Sequence, residues 1–255
     1  MMFSLFNVII YLFLILPSVI VIISAFSSAS YVIFPPPGFS LKWFESISYW
    51  MESTALSLKL VAAVLPITIT IGILTAYAVV RHEFKGRELV MSLMLSPIMV
   101  PGLLLGFALL YEFMYIGIQD SLPALIIAHV LVTVPYAIRT VSINMYQLDI
   151  DLERAAKSLG ANEMQTFLKI LLPLIRPGIF SAAVFVFVES LGEVAVTQLV
   201  TGAAFVTLPV KMFAYVSQSF DPSLAAISTI FILLSLVCIV TVNKLMGVET
   251  GARIF

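Results

Sequence analysis

The chain has 255 residues, of which 61% are hydrophobic and only 11% are charged, and its mean hydropathy is +1.12. Soluble domains of this length carry far more charge, so the composition excludes them and indicates an integral membrane protein with a single domain over residues 1–255. The net charge of −1 and the lack of a basic stripe give no indication of nucleic-acid binding.

Six apolar segments are long enough to span a bilayer, which takes about 20 mainly apolar residues per helix. They cover residues 5–26, 54–80, 89–115, 122–141, 178–200 and 225–243. Period-two alternation in short segments, which is typical of membrane barrels, is absent, so we predict an all-α, polytopic fold with six transmembrane helices. We expect the first segment to be a retained helix rather than a signal peptide, because no Lys or Arg precedes its long apolar run.

The distribution of basic residues predicts the orientation of the chain. Ten of the 13 Lys and Arg residues fall in the 81–88 loop, the 139–177 region and the C-terminal tail with Lys244 and Arg253, whereas Lys42, Lys59 and Lys211 fall on the other side. The positive-inside rule places the side with ten basic residues in the cytoplasm. Both termini are then cytoplasmic as well.

Two stretches carry local structural signals. The external 27–53 loop contains Pro35-Pro36-Pro37, which must be extended or turned. Three aromatic residues of this loop suit an interfacial belt: Trp43, Tyr49 and Trp50. Prolines and glycines interrupt the third span: Pro97, Pro101, Gly102 and Gly106. They predict a bend that shapes a pathway, although close packing on neighbouring helices would use the same residue types.

A polar, charged and helical insert lies between the fourth and fifth spans. Its first apolar residues recur at helical spacing and would form one face: Leu152, Ala155, Ala156 and Leu159. Asp149 or Asp151 can cap the start of this helix, and Gly160 can end it. Glu153 and Lys157 are four residues apart and are expected to pair on the polar side.

A second helical pattern follows the glycine. Its apolar residues have the spacing of one helix face: Met164, Phe167, Leu168, Leu171 and Leu172. Pro173 is expected to stop this helix, and Pro177 to start the next span. The pattern alone leaves two roles open for the helix pair, which either lies against the bilayer and its own helices or forms a docking site for a partner.

A resemblance to a known family favours docking. The insert carries residues at a long, defined spacing. Ala155-Ala156 are separated by three residues from Gly160, which is followed after nine residues by Ile170 and then, after one more residue, by Leu172-Pro173. This spacing resembles the E-A-A loop of binding-protein-dependent ATP-binding-cassette (ABC) importer permeases. One departure is that Arg154 stands at the position of the family's acid, with Glu153 one residue earlier. The segments 34–44 and 193–229 are similar to the spermidine/putrescine branch of the family, especially its second permease subunit.

The resemblance implies a MetI-like permease fold whose coupling loop, at about 142–177, sits in a cleft of an ATPase subunit. The residues that would couple to the ATPase are Glu153, Arg154, Ala155, Ala156, Gly160, Ile170, Leu172 and Pro173. No G-x-x-x-x-G-K-[ST] motif occurs in the chain, so ATP and Mg are expected on separate subunits. The implied partners are a second, related permease chain, two ATPase subunits and an external binding protein, at a bacterial-type inner membrane.

Two acidic residues in the fifth span are candidates for the substrate pathway. Glu189 and Glu193 lie four residues apart, so a continuous helix would place them on one face, with Glu189 about 17 Å from its start. Carboxylates within a membrane normally face the bundle interior or a water-filled cavity, and two of them would suit a cation. Either one could instead be protonated or paired with a basic residue of a partner subunit. Glu112 and Tyr111, near the outer end of the third span, are further candidates, although a solvated helix end is the better account of Glu112.

Other residue patterns give no indication of catalysis or metal binding. Cys238 is the one cysteine and lies in the last apolar span, where a packing role is expected. His129 has no His or Cys neighbour at metal-ligand spacing and is expected to be a hydrogen-bonded packing residue. Neither H-E-x-x-H nor G-x-S-x-G occurs. We therefore expect no catalytic residues, no cofactor and no metal site in this chain.

These observations together predict the permease subunit of an ATP-driven importer, which forms half of a pathway for a polyamine or a similar small cation. The same class of importer for another solute, such as iron, an opine, a phosphonate or a related anion, is an alternative. A stand-alone secondary transporter is a further alternative, but the coupling-type insert has no inverted copy in the other half of the chain.

Overall fold

A computed structural model describes residues 2–202, 204–219 and 221–245. The helices are α1 (Met2–Ala25), α2 (Ile47–Arg81), α3 (Arg87–Leu95), α4 (Gly102–Tyr115), α5 (Leu122–Tyr146), α6 (Asp151–Ser158), α7 (Glu163–Thr166), α8 (Leu172–Leu174), α9 (Arg176–Gly192), α10 (Thr197–Val200), α11 (Leu208–Val216) and α12 (Ser223–Leu245). Short 3-10 turns cover Lys42–Ser46 and Ser96–Met99, and a π turn covers Phe167–Leu171. One isolated bridge, between Ser27 and Phe39, is the only β pairing within the described ranges, which confirms the all-α fold class.

The membrane spans are built from four single helices and two bent pairs. The helices α1, α2, α5 and α12 are each long and apolar enough to cross a membrane, and two bent pairs raise the number to six if each pair is one span. The pairs are α3 with α4, and the stretch from α7 to α8 with α9. The four single helices and two bent pairs agree with the predicted all-α membrane fold of up to six spans, while the orientation of the termini stays a prediction. The tail that carries Arg253 lies outside the described residues.

Two spans differ in extent from the sequence-based prediction. Helix α2 begins at Ile47, within the predicted 27–53 loop. Helix α9 ends at Gly192, eight residues before the predicted end at residue 200. Glycine weakens a helix, and Glu193 next to it has extended backbone (ψ 121°) while its carboxylate accepts the Val196 N–H at 2.7 Å. This side-chain hydrogen bond stabilises the turn that separates α9 from α10.

The predicted break in the third span is confirmed. The segments on either side of it meet at 108°. Pro97 lies in the 3-10 turn and Pro101 immediately precedes α4, so these prolines occupy the bend, as expected for residues that lack a backbone donor. Gly106 has a different role, because a Cβ there would lie 3.1 Å from the Val196 Cα. It allows α4 to pack closely on α10.

The core of the bundle is formed by α2, α5 and α9. Its buried apolar side chains come from all three helices and include Leu60, Val64, Val141, Met145 and Val186. Small residues bring α2 and α5 close together, as is common for helices in membranes. A Cβ added to Gly72 would lie 2.7 Å from the Ala137 Cβ, and the Thr68 and Thr133 hydroxyls are hydrogen-bonded at 3.0 Å.

The predicted aromatic belt is wrong for one of its three members. Trp50 is 1% exposed and packs with Leu208 and Ile227, because α11 covers this end of α2. Tyr49 is exposed and Trp43 is half-buried, and the Trp43 indole donates to the Ser27 carbonyl at 2.9 Å. The prolines 35–37 lie outside any helix, as predicted.

Candidate functional site: a helical insert and a carboxylate cavity

The first helix of the insert has the predicted boundaries. Of the two candidate capping residues, Asp149 is the one whose carboxylate accepts a backbone N–H, that of Asp151 at 2.9 Å. Gly160 follows the helix with φ +91°, a left-handed conformation that glycine adopts readily. The Ala161 N–H donates to the Ala156 carbonyl and the Gly160 N–H to the Lys157 carbonyl, both at 3.0 Å. These two bonds form a Schellman motif, so the predicted helix end at glycine is confirmed.

The second helix of the insert ends at Leu174, one residue after the stop predicted at Pro173. It begins with a capping box between Asn162 and Gln165, continues through the π turn 167–171, and passes through Pro173 within α8. The chain then bends by 68° where α9 begins. A proline cannot donate a backbone hydrogen bond, and the widened π turn before it accommodates that loss. Pro177 lies in the first turn of α9, as predicted.

The apolar residues of the insert are largely exposed rather than packed beneath the bundle. Leu159 is 90% exposed at the end of α6. With it, four further residues form what we call the α6–α7 surface: Leu152, Ala155, Met164 and Leu168, all exposed. Several exposed apolar side chains on an otherwise polar segment are typical of an interaction site. This arrangement disfavours packing of the pair beneath its own helices.

The eight predicted coupling residues are divided between this surface and the bundle. Three of them are exposed: Arg154, Ala155 and Gly160. Four are half-buried: Ala156, Ile170, Leu172 and Pro173. Glu153 is buried. Only part of the spacing-defined motif is thus available to a partner, while the rest holds the insert against its own chain.

The predicted pair between Glu153 and Lys157 is wrong. Glu153 points into the bundle, where its Oε1 lies 2.7 Å from the Arg81 Nε, at the end of α2. The Arg81 N–H is not aligned with that oxygen, so the contact is a close ion pair rather than a linear hydrogen bond. Lys157 lies 3.4 Å from Glu163 instead. The i, i+4 rule describes neighbours on a free helix surface, and it fails here because another helix supplies the counter-charge.

Both predicted carboxylates of the fifth span face one cavity of about 190 Å³, which we call the carboxylate cavity. It lies between the broken third span, α5 and the end of α9. Its other lining residues are Pro97, Ile98, Val100, Gly102, Leu105, Val132, Tyr136 and Val196. None of the lining residues is basic, so the two acids have no cationic partner among them.

Glu189 and Glu193 do line one cavity, as predicted, but they do not lie on one face of a continuous helix. Glu193 lies beyond the end of α9. The turn after Gly192 brings Glu193 to the same cavity as Glu189. Sequence reasoning missed Tyr136, which lines the same cavity as Glu189. A tyrosine within an apolar span carries a polar group that needs a partner, and that signal could have identified it.

A second cavity adjoins the first. It has a volume of about 560 Å³, is lined by Arg139 and mostly apolar residues, and shares Ile98 and Tyr136 with the carboxylate cavity. Glu112 and Tyr111 are exposed on α4 and line neither cavity. The structure therefore brings together two of the four predicted pathway residues.

His129 has the predicted packing role. It is 1% exposed, and its two ring nitrogens lie 2.9 Å from the Ser190 and Thr197 hydroxyls. It thus ties α5 to α9 and α10. Among the described residues, no group of three His, Cys, Asp or Glu side chains is placed to hold a metal ion.

Comparison with known proteins identifies related chains. Residues 68–247 match the family model described as "Binding-protein-dependent transport system inner membrane component". The chain is 31% identical over 234 residues to the spermidine/putrescine transport system permease protein PotC of Escherichia coli (strain K12), covering 91% of this chain and 88% of that protein. It is 27% identical over 230 residues to the putrescine transport system permease protein PotI of the same strain, covering 86% and 82% respectively.

A solved structure confirms the fold. A chain in the crystal structure of a bacterial alginate ABC transporter, in complex with an alginate pentasaccharide-bound periplasmic protein, is similar with a TM-score of 0.70. The similarity covers 94% of this chain and 91% of that one at 18% identity.

Proposed function

Because the chain belongs to the binding-protein-dependent transport system inner membrane component family, and is thus a multi-pass permease subunit of an ABC importer, we propose that it carries a polyamine or a similar small organic cation. The observation that carries this proposal is the carboxylate cavity, in which Glu189 and Glu193 face one space without a basic lining residue. Carboxylates at membrane depth are costly and mark substrate pathways. The chain is similar to PotC, a spermidine/putrescine permease protein, and to PotI, a putrescine permease protein, which supports the same class of substrate.

The α6–α7 surface is the proposed docking site for an ATPase subunit. It combines exposed leucines with a rigidly capped turn at Gly160, so a partner would meet a fixed shape. The positive-inside distribution supports a cytoplasmic position for this insert. The ATPase subunits would bind ATP and Mg, and this chain would supply neither ligand.

In this proposal this chain forms only one wall of the substrate pathway. The two adjoining cavities are bordered by the apolar outer face of the broken span, where Met99 is 81% exposed. A second, related permease chain would complete the pathway, and an external binding protein would deliver the substrate. The proposed location is a bacterial inner membrane.

The test is uptake by the complete importer in proteoliposomes, with spermidine and putrescine compared with a neutral sugar. Glu193→Gln removes one charge from the cavity at nearly constant volume. Charged hydrogen bonds contribute about 1.5–3 kcal/mol, so we expect polyamine affinity to fall about ten-fold or more. Glu112→Gln is the matched control, because that exposed carboxylate lies outside both cavities. Equal polyamine uptake by both variants, at the wild-type level, would contradict a substrate role for Glu193.

A further inference from the structure

The last turn of α2 contacts both helical parts of the insert. Arg81, the last residue of α2, forms the ion pair with Glu153 of α6 at 2.7 Å, and the two side chains are only 8% and 11% exposed. The same guanidinium donates through Nη2 to the Leu148 carbonyl at 3.3 Å, just before α6 begins. One turn earlier, the Tyr77 ring packs edge-on against Phe167, with ring centroids 4.9 Å apart.

The Arg81–Glu153 ion pair is more deeply buried than the other ion pairs of the insert. The Arg154–Asp151 pair is about 70% exposed on both sides, and exposed pairs contribute little to stability because water screens them. A buried pair is costly to break, because loss of one partner leaves the other charge without compensation. The Arg81–Glu153 pair is therefore the charged contact that ties α6 most firmly to α2.

Helix α2 is connected to the carboxylate cavity through its close packing on α5. Helix α2 packs on α5 where Gly72 approaches Ala137, too closely for any added side chain. The Thr68–Thr133 hydrogen bond lies one turn further along both helices. The residue before Ala137 is Tyr136, which lines the carboxylate cavity. The ion pair, the length of α2 and its close packing on α5 thus connect Glu153 to the wall of the cavity.

We propose that Arg81 and Glu153, supported by Tyr77 and Phe167, form a strut that transmits displacement of α6 to α2 and α5, and so changes access to the carboxylate cavity. This inference rests on the proposed docking of an ATPase at the α6–α7 surface. Arg81 and Glu153 are positioning residues, since neither lines the cavity or belongs to the exposed surface. The partner would move α6, and the strut would determine how much of that movement reaches the pathway.

The test is the ratio of substrate taken up to ATP hydrolysed, measured in proteoliposomes with the complete importer. Glu153→Gln keeps the size of the side chain and removes its charge. Because loss of one partner of a buried pair is strongly unfavourable and each difference of about 1.4 kcal/mol is ten-fold, we expect the ratio to fall at least about ten-fold while ATPase association and basal ATP hydrolysis persist. Glu83→Gln is the matched control, since this exposed carboxylate lies two residues after Arg81, and its ratio should equal that of the wild type.

A second variant separates the ion pair from general destabilisation. Arg81→Lys keeps the positive charge but loses the planar guanidinium that reaches Leu148, so its uptake per ATP should lie between those of the wild type and Glu153→Gln. A ratio at or below that of Glu153→Gln would contradict an ion-pair strut. A wild-type ratio in Glu153→Gln would also overturn the strut, but it would leave the proposed docking of the ATPase untouched. Loss of ATPase association in this variant would overturn the strut because Glu153 would then act in docking itself. Failure of the wild-type chain itself to bind any ATPase would overturn the proposed function and the strut with it.

Discussion

Replacement of Gly160 by valine separates the backbone geometry of the insert from its surface chemistry. Gly160 has φ +91°, and a Cβ added there would meet no atom of this chain within 4 Å. The cost in the free chain is therefore backbone strain rather than a clash. The left-handed conformation costs an ordinary residue about 1–2 kcal/mol, and a β-branched residue is disfavoured further. Asparagine tolerates this conformation and is the matched control.

The strain reduces the fraction of chains in which α6 and α7 keep their docking geometry. About 1–2 kcal/mol corresponds to a factor of roughly 5–30. Because an apparent dissociation constant rises as the competent fraction falls, we expect Gly160→Val to bind its ATPase subunit roughly 5–30 times more weakly. Gly160→Asn should bind nearly as well as the wild type. The measurement is a titration of detergent-solubilised permease with labelled ATPase, with thermal unfolding as a check on the fold.

Wild-type affinity of Gly160→Val would refute the argument that the capped turn presents the docking surface. If Gly160→Asn bound as weakly as Gly160→Val, the space next to the glycine would be filled by the partner, and backbone strain would not be the cause. Each of these outcomes is measurable without transport activity.

Three further predictions concern the stability of the bundle and use thermal unfolding in detergent. Gly72→Ala should lower the midpoint, because overpacking against Ala137 costs about 1–3 kcal/mol, whereas Gly192→Ala, with open space around its Cβ, should not. His129→Leu should destabilise the chain by about 1–3 kcal/mol, because two buried hydroxyls lose their partner, and an unchanged midpoint would contradict this role. Burial acts to raise the pKa of Asp221, but hydrogen bonds from two neighbouring side chains and a backbone N–H hold it below its usual range. The resulting stabilisation is present above the unfolded pKa, near 4, and is lost as the pH falls below it, so Asp221→Asn should remove this acid-dependent fall of the midpoint.

The features that the sequence predicted correctly are those set by local pattern. Hydropathy over about 20 residues identifies a spanning segment without knowledge of its neighbours, and all six segments have a counterpart in the structure. The Gly160 turn was predictable for the same reason, because a glycine directly after a helical pattern is enough to indicate the end of the helix. The bend at Pro97 and Pro101 depends likewise on missing backbone donors in the chain itself.

The features that the sequence could not predict depend on contacts between distant segments. Glu153 was assigned to its i, i+4 neighbour because nothing in the pattern indicates that Arg81 lies beside it. Trp50 was assigned to an interface because the helix that covers it comes much later in the chain. The end of α9 at Gly192 depends on a side-chain hydrogen bond from the turn that follows, which hydropathy does not register.

The departure from the family spacing at Arg154 also has a structural counterpart. The carboxylate one position earlier is withdrawn into the bundle, while the Arg154 guanidinium is exposed and forms an ion pair with Asp151. A partner docked at this surface, as proposed, would meet a cation where the family pattern has an acid. The acid instead serves the contact between the insert and α2.

The most direct test of the central claim is stimulation of ATP hydrolysis in the purified complex by its external binding protein. The complex would be reconstituted with ATPase subunits and the second permease chain, and the binding protein would be supplied empty, with spermidine or putrescine, or with a neutral sugar. We predict that only the polyamine-loaded binding protein raises the rate of ATP hydrolysis. Equal stimulation by the sugar-loaded form, or none by the polyamine-loaded form, would contradict the account.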